Sequence, residues 1–324
     1  MPRQHNKASR IERYRRKAHA QDLQSLLALD ELHRTCPELS TPQLVRGRLN
    51  RFTDSVECKL DLSRCALTSL PECFPPRRLR NSLAFLDLSK CSRLAHLPKN
   101  FGELKALKTL DLSDCDSLIT LPDAIGGLGA LSTLVVQNCR GLEVLPDAIG
   151  ELRKLKVLGL SRCVKLSALP DTIGGLEALT YLCLFGCQRL AALPDTIGRL
   201  KALKTLKCGI NSSQFPHDTF MVDLPDTIGG LATLTELDLW GCVNTTALPD
   251  TICELKSLTK LDGTNSELIE LPAVQKSKFH SAFVLNRRID FHAIDATTAR
   301  CLQGANRSPL DLAAGPHCRR EMTM

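Results

Sequence analysis

Leu107-Lys-Thr-Leu110-Asp-Leu112-Ser-Asp-Cys115-Asp-Ser-Leu118-Ile-Thr-Leu121-Pro122-Asp-Ala-Ile125-Gly-Gly-Leu128 is the stretch on which the reading of this chain turns. Leu110 and Leu112 alternate with Thr109, Asp111 and Ser113, the period of two expected of a short strand with one buried face. Pro122 fixes φ for a first helical position and has no N–H to lose there, so a short helix or 3-10 turn is expected to begin at it. The frame recurs at Leu131-Leu134-Val136-Cys139, Leu155-Leu158-Leu160-Cys163, Leu179-Leu182-Leu184-Cys187 and Leu234-Leu237-Leu239-Cys242. Leu-Pro marks the same place in each copy, with Pro98, Pro122, Pro146, Pro170 and Pro194 each 24 residues apart. Pro71 precedes this series by 27 residues, Pro225 follows after 31, and Pro249 and Pro272 close it at 24 and 23.

A fixed period of about 20 to 29 residues carrying Leu-x-x-Leu-x-Leu-x-x-Cys is the mark of a leucine-rich-repeat solenoid. The expected fold is an α/β solenoid, an arc of about nine turns with a parallel sheet on the concave face and short helical or 3-10 turns on the convex face. Inward pairs run from Leu60/Leu62 to Leu261/Gly263. The glycine after each Ile (Gly126, Gly150, Gly174, Gly198, Gly229) is expected to interrupt the helix and return the chain to the next strand. One turn cannot bury both of its walls alone, so stacking is obligatory. The chain then divides into a basic arm (1–20), a helical N-terminal cap region (21–55), the solenoid (56–272) with an insertion near 212–221, and a C-terminal cap and loose tail (273–324). Within the cap region, Leu23, Leu26, Leu27 and Leu29 predict a helix over 21–34.

The string Leu-x-x-Leu-x-Leu-x-x-Cys-x-x-Leu-x-x-Leu-Pro-x-x-Ile-Gly-x-Leu resembles the repeats of plant nucleotide-binding disease-resistance proteins. It is equally similar to the Ras-group leucine-rich-repeat proteins. The matched residues are those that build the scaffold. The resemblance implies a protein-recognition module, a scaffold or adaptor in intracellular signalling or defence. The chain departs from the resistance proteins in having no Gly-x-x-x-x-Gly-Lys-(Ser/Thr) phosphate loop. The alternative function is a substrate-recognition adaptor of a ubiquitin ligase.

Composition narrows the classes further. Residues 1–20 hold seven Lys/Arg (Arg3, Lys7, Arg10, Arg13, Arg15, Arg16, Lys17) against Glu12, which is +6 of the formal +7. The remainder balances 35 basic residues against 34 acidic, so the solenoid is not expected to bind nucleic acid. No run of 18 uncharged apolar residues occurs, so no membrane span is expected. A cytoplasmic monomer is expected, with the basic arm offering a route to the nucleus. His-Glu-x-x-His, Gly-x-Ser-x-Gly and Gly-x-Gly-x-x-Gly are all missing, and neither an enzyme nor a cofactor is expected.

Seven of the fifteen cysteines share one repeat position: Cys65, Cys91, Cys115, Cys139, Cys163, Cys187 and Cys242, with Asn211 taking the place in the irregular turn. The expectation is a ladder of buried, reduced thiols that hydrogen-bond loop backbone. The odd count disfavours a disulfide framework, and no Cys-x-x-Cys offers a metal site.

Scaffold positions repeat, whereas outward strand positions vary. Alternation puts Tyr181, Cys183 and Phe185, then Thr205, Lys207 and Gly209, then Glu236, Asp238 and Trp240 on the concave face. Exposed aromatics on a sheet are usual interface anchors. The expected partner-binding set is therefore Tyr181, Phe185, Trp240, Asp238, Glu236, Lys207 and Asp111, and the partner is a protein. Mutual packing of the rings along the sheet is the competing expectation.

Overall fold

The computed structural model describes residues 48–51, 58–209, 223–242, 248–263 and 283–284. All of them fall in one compact unit, Met1–Asn286. The repeat becomes nine parallel strands: β2 (Cys58–Asp61), β3 (Leu83–Asp87), β4 (Thr109–Asp111), β5 (Thr133–Val135), β6 (Val157–Gly159), β7 (Tyr181–Cys183), β8 (Thr205–Lys207), β9 (Glu236–Asp238) and β10 (Lys260–Asp262). They lie side by side in chain order in one sheet, and the architecture is a leucine-rich-repeat solenoid. Two further strands extend the sheet. β1 (Arg48–Arg51) pairs antiparallel with β2, and β11 (Phe283–Val284) pairs in parallel with β10. Arg48–Arg51 is thus extended within the region expected to be a helical cap, while the helix expected over 21–34 lies outside the described residues.

Between strands the chain makes the turns that proline starts. Asp123–Gly127, Asp147–Glu151, Asp171–Gly175, Asp195–Arg199, Asp226–Gly230 and Asp250–Glu254 are all 3-10 turns, each preceded by proline with φ between −72° and −61°. The isoleucine N–H of each turn donates to that proline's carbonyl, as Ile149 does to Pro146 at 3.0 Å. Ile125, Ile149, Ile173, Ile197, Ile228 and Ile252 are fully buried against the strand leucines, which closes the core between the two walls.

The glycine after each isoleucine has a different role from the one expected. None of Gly126, Gly150, Gly174, Gly198 and Gly229 has positive φ. Each is instead a point of close approach between neighbouring turns. A Cβ on Gly150 would lie 2.2 Å from the Thr172 carbonyl oxygen, and one on Gly198 would lie 2.1 Å from that of Thr227. Left-handed backbone occurs elsewhere, at the residue before each ladder cysteine: Arg64, Lys90, Asp114, Asn138, Arg162, Gly186 and Gly241. There the chain leaves the strand, and the freed N–H reaches the adjacent turn, as Arg162 N–H does to the Phe185 carbonyl at 2.6 Å.

The ladder cysteines tie the turns together from inside. Cys91, Cys115, Cys139, Cys163 and Cys187 are fully buried, and each thiol donates to a carbonyl one turn back: Leu62, Leu88, Leu112, Val136 and Leu160, at 2.9–3.3 Å. Cys242 reaches the Cys208 carbonyl at 3.6 Å, and Cys65 donates to the Ser63 carbonyl at 3.7 Å. Burial pushes the thiols of Cys91, Cys187 and Cys242 up to about 12, so each stays protonated and donates. Asn211 and the insertion lie outside the described residues.

Candidate protein-interaction face

Strand register decides which outward side chains meet. One row crosses the whole sheet: Asp61, Asp87, Asp111, Val135, Gly159, Cys183, Lys207, Asp238 and Asp262 are successive partners from β2 to β10. The sheet runs without a break across the 31-residue turn, because Thr205 pairs with Glu236 and Lys207 with Asp238. Residues from either side of the insertion therefore share one surface.

Two positions past the strands, Phe185 and Trp240 stand on either side of Gly209. Their rings stack with centroids 6.1 Å apart and planes 9° from parallel. The strands that precede them are separated by β8, a gap of about 10 Å that two ordinary side chains would not close face to face. Gly209, between them, packs tightly on the next turn: a Cβ there would sit 2.7 Å from the Trp240 carbonyl oxygen and 3.0 Å from Asp238 Oδ1. Both rings remain half-buried, so the pair packs on itself and still offers a face to solvent.

Tyr181 departs from expectation. It occupies an outward strand position but is only 8% exposed, and it cannot serve as a projecting anchor. Burial raises its phenol pKa, with neighbouring Cys183 adding to the effect. Cys183 is likewise buried, with its sulfur 3.1 Å from Ser161 Oγ. Val135 and Gly159, both buried, lie between the acidic residues at the two ends of the row.

The charged residues form one compact group on β8–β10. Glu236 Oε1 accepts from Lys260 Nζ at 2.7 Å and lies 3.9 Å from Lys207 Nζ. Lys260 was not among the residues expected to bind, although its spacing of 24 from Glu236 identifies it as the cross-strand neighbour. Burial alone would lower its pKa, but the Glu236 hydrogen bond and charge, with Asp238 and Asp262, hold it above the ordinary lysine value. Asp238 accepts the Trp240 N–H at 3.0 Å, which fixes the backbone beneath that ring. Its own pKa is raised by burial, an effect partly offset by that N–H.

Asp111 belongs to a different part of the face, three strands from Cys183. Its Oδ1 accepts both the backbone N–H (2.9 Å) and the hydroxyl (2.6 Å) of Ser113, and Asp61 and Asp87 cap the Ser63 and Ser89 N–H groups in the same way. These aspartates satisfy a donor that the ladder leaves unused at each strand end. Phe185, Trp240, Asp238, Glu236 and Lys207 are therefore gathered together, and Asp111 stands apart from them. Among the described residues, no group of three or more His, Cys, Asp or Glu side chains is arranged to hold a metal. No described helix is long and apolar enough to cross a membrane.

The family model of the leucine-rich repeat matches residues 106–128, which form one turn of the solenoid. No curated protein matches the chain. Among solved structures, a leucine-rich-repeat protein of Leptospira interrogans is 28% identical, with a TM-score of 0.43. That alignment covers 66% of this chain and 62% of the other. The leucine-rich-repeat domain of the type III effector XopL is 25% identical over 72% of this chain and 81% of its own, with a TM-score of 0.48. The Toll–Spätzle complex of Drosophila is 18% identical over 64% of this chain and 31% of that one, with a TM-score of 0.46.

Proposed function

We propose that the chain is a non-enzymatic adaptor in signalling or defence that recognises a protein partner on the concave face, through the Phe185–Trp240 pair and the charged group beside it. The observation that carries this reading is the stacked, half-buried aromatic pair on a sheet that stays continuous across the insertion. Leucine-rich-repeat domains generally serve as interaction modules, and a rigid aromatic pair with a polar rim is the kind of surface on which binding energy concentrates. Glu236 is already engaged by Lys260 and Lys207, so this group sets register for a partner more than it supplies affinity.

The test places a photo-crosslinking residue at Thr205 (concave) or Arg199 (convex) in the full chain. The reading expects one protein to be captured from Thr205 and not from Arg199. Trp240→Ala should weaken that capture by about 1–2 kcal/mol, the usual loss at an aromatic anchor. Equal capture from Arg199, or capture from Thr205 that survives Trp240→Ala and Phe185→Ala unchanged, moves the binding surface off this face.

A further inference from the structure

The concave face is unevenly charged. Asp61, Asp87 and Asp111 are register partners on three successive strands, each half-buried; Arg48 of β1 stands opposite Asp61, and no described cation forms an ion pair with Asp87 or Asp111. Lys59, the lysine of the neighbouring row, holds its ammonium 4.1 Å from the centroid of the Phe85 ring. At the far end of the sheet, Lys207 and Lys260 both turn to Glu236. Like charges directly opposite one another on a sheet destabilise it. Burial also raises the Asp111 pKa, with Asp87 and Asp114 adding to the rise against the two Ser113 hydrogen bonds. A cation lying along this row would relieve both effects.

Beyond Arg48, the chain concentrates its excess positive charge in one stretch. Residues 3–17 contain seven Lys/Arg and one acid, with Ile11 and Tyr14 set among them, while the rest of the sequence is balanced. We propose that residues 3–17 dock on the acidic half of this chain's own concave sheet face, with their basic side chains along the Asp61, Asp87 and Asp111 row.

Reach is ample. The 27 residues from 21 to 47 separate the arm from β1, which borders β2. With the expected helix over 21–34 and the other residues extended, they span about 65 Å, whereas β2 to β4 is only about 10 Å. Tethering at this length gives a local concentration on the order of millimolar, so contacts too weak to hold a free peptide suffice. The arm would cover β2–β4 and leave the Phe185–Trp240 pair open, so this inference stands or falls apart from the partner reading.

The test uses the full chain at low ionic strength with two readouts. A zero-length carbodiimide should couple Lys7 or Lys17 to Asp61, Asp87 or Asp111. In mixtures of isotopically light and heavy chains, those links should fall within one chain. Trypsin should cut between Arg10 and Lys17 about tenfold more slowly than in the Asp87→Asn/Asp111→Asn variant, as expected for an arm held nine-tenths of the time. Asparagine keeps the oxygen that Ser89 and Ser113 use, so the turns persist, and a melting temperature no lower than that of the unaltered protein checks it. High salt should release the arm in the unaltered protein, so one arm of the test needs no substitution. Links confined to convex aspartates such as Asp147 or Asp171, links only between different chains, or an arm cut equally fast in both proteins would overturn the proposal.

Discussion

Replacing Gly150 with alanine adds one methyl group at the tightest kind of contact in this solenoid. The new Cβ would lie 2.2 Å from the Thr172 carbonyl oxygen, 2.9 Å from its carbonyl carbon and 2.8 Å from its Cβ. Two of those three atoms are backbone, so no rotamer change relieves the overlap, and the turn at Asp171–Gly175 has to move outward. Overpacking of this kind costs about 1–3 kcal/mol. Alanine also restricts the unfolded chain, which returns about 0.4–1 kcal/mol, leaving a net loss of about 0–2.6 kcal/mol. Gly129→Ala is the control. It too lacks positive φ, and a Cβ there would meet nothing within 4 Å. The unfolded-state effect is common to both variants, so their difference in urea melts followed by circular dichroism isolates the clash. Gly129→Ala should be neutral or stabilising. A difference below about 0.5 kcal/mol, with equal m-values, would refute the close-approach account of the repeat glycines.

Leu160→Ala removes a fully buried inward side chain and should destabilise by about 2–5 kcal/mol in the same melts. A native thiol reagent should modify the exposed Cys73 well before any ladder cysteine, and rapid labelling of Cys115, Cys139 or Cys163 would contradict the inward register. Cys139→Ser keeps a donor for the Leu112 carbonyl and should be mild, whereas Cys139→Leu should cost about 1–3 kcal/mol. Asp111 has a raised folded-state pKa, chiefly from burial, so its ionised form is the destabilising one. Stability from this group is therefore complete below its ordinary value of 3.8 and is lost as pH rises through the raised folded value. Asp111→Asn should be more stable than the unaltered protein at pH 7, and the gap should close on acidification; a gap that widens would reverse the assignment.

The inward leucines were legible because alternation and a 24-residue period place them unambiguously, and the nine strands follow from that pattern. Depth on the outward side was not. Alternation gives Tyr181 its side of the sheet, but its burial depends on Val157 and Thr205 in the adjacent strands and on what stands beyond them. The stacking of Phe185 on Trp240 required knowing that Gly209 falls between them, a registry that spans the irregular turn. The repeat glycines were visible, yet their reason lies in a carbonyl one turn away. The left-handed residue before each cysteine left a trace at Asn138, Asp114, Gly186 and Gly241, types that tolerate that conformation, but Arg64, Lys90 and Arg162 obscured it.

The thiol and strand-end hydrogen bonds described above either stay within one turn or join it only to its immediate neighbour, and this has a mechanical consequence. Pulled by its two ends, such a stack can surrender one turn at a time. A 24-residue turn releases about 80 Å of chain. The irregular turn, with 31 residues between Leu193 and Leu224, would release about 105 Å. In an optical trap the molecule would carry its own ruler. The order in which the long step appears among the short ones would report the end from which the solenoid unravels.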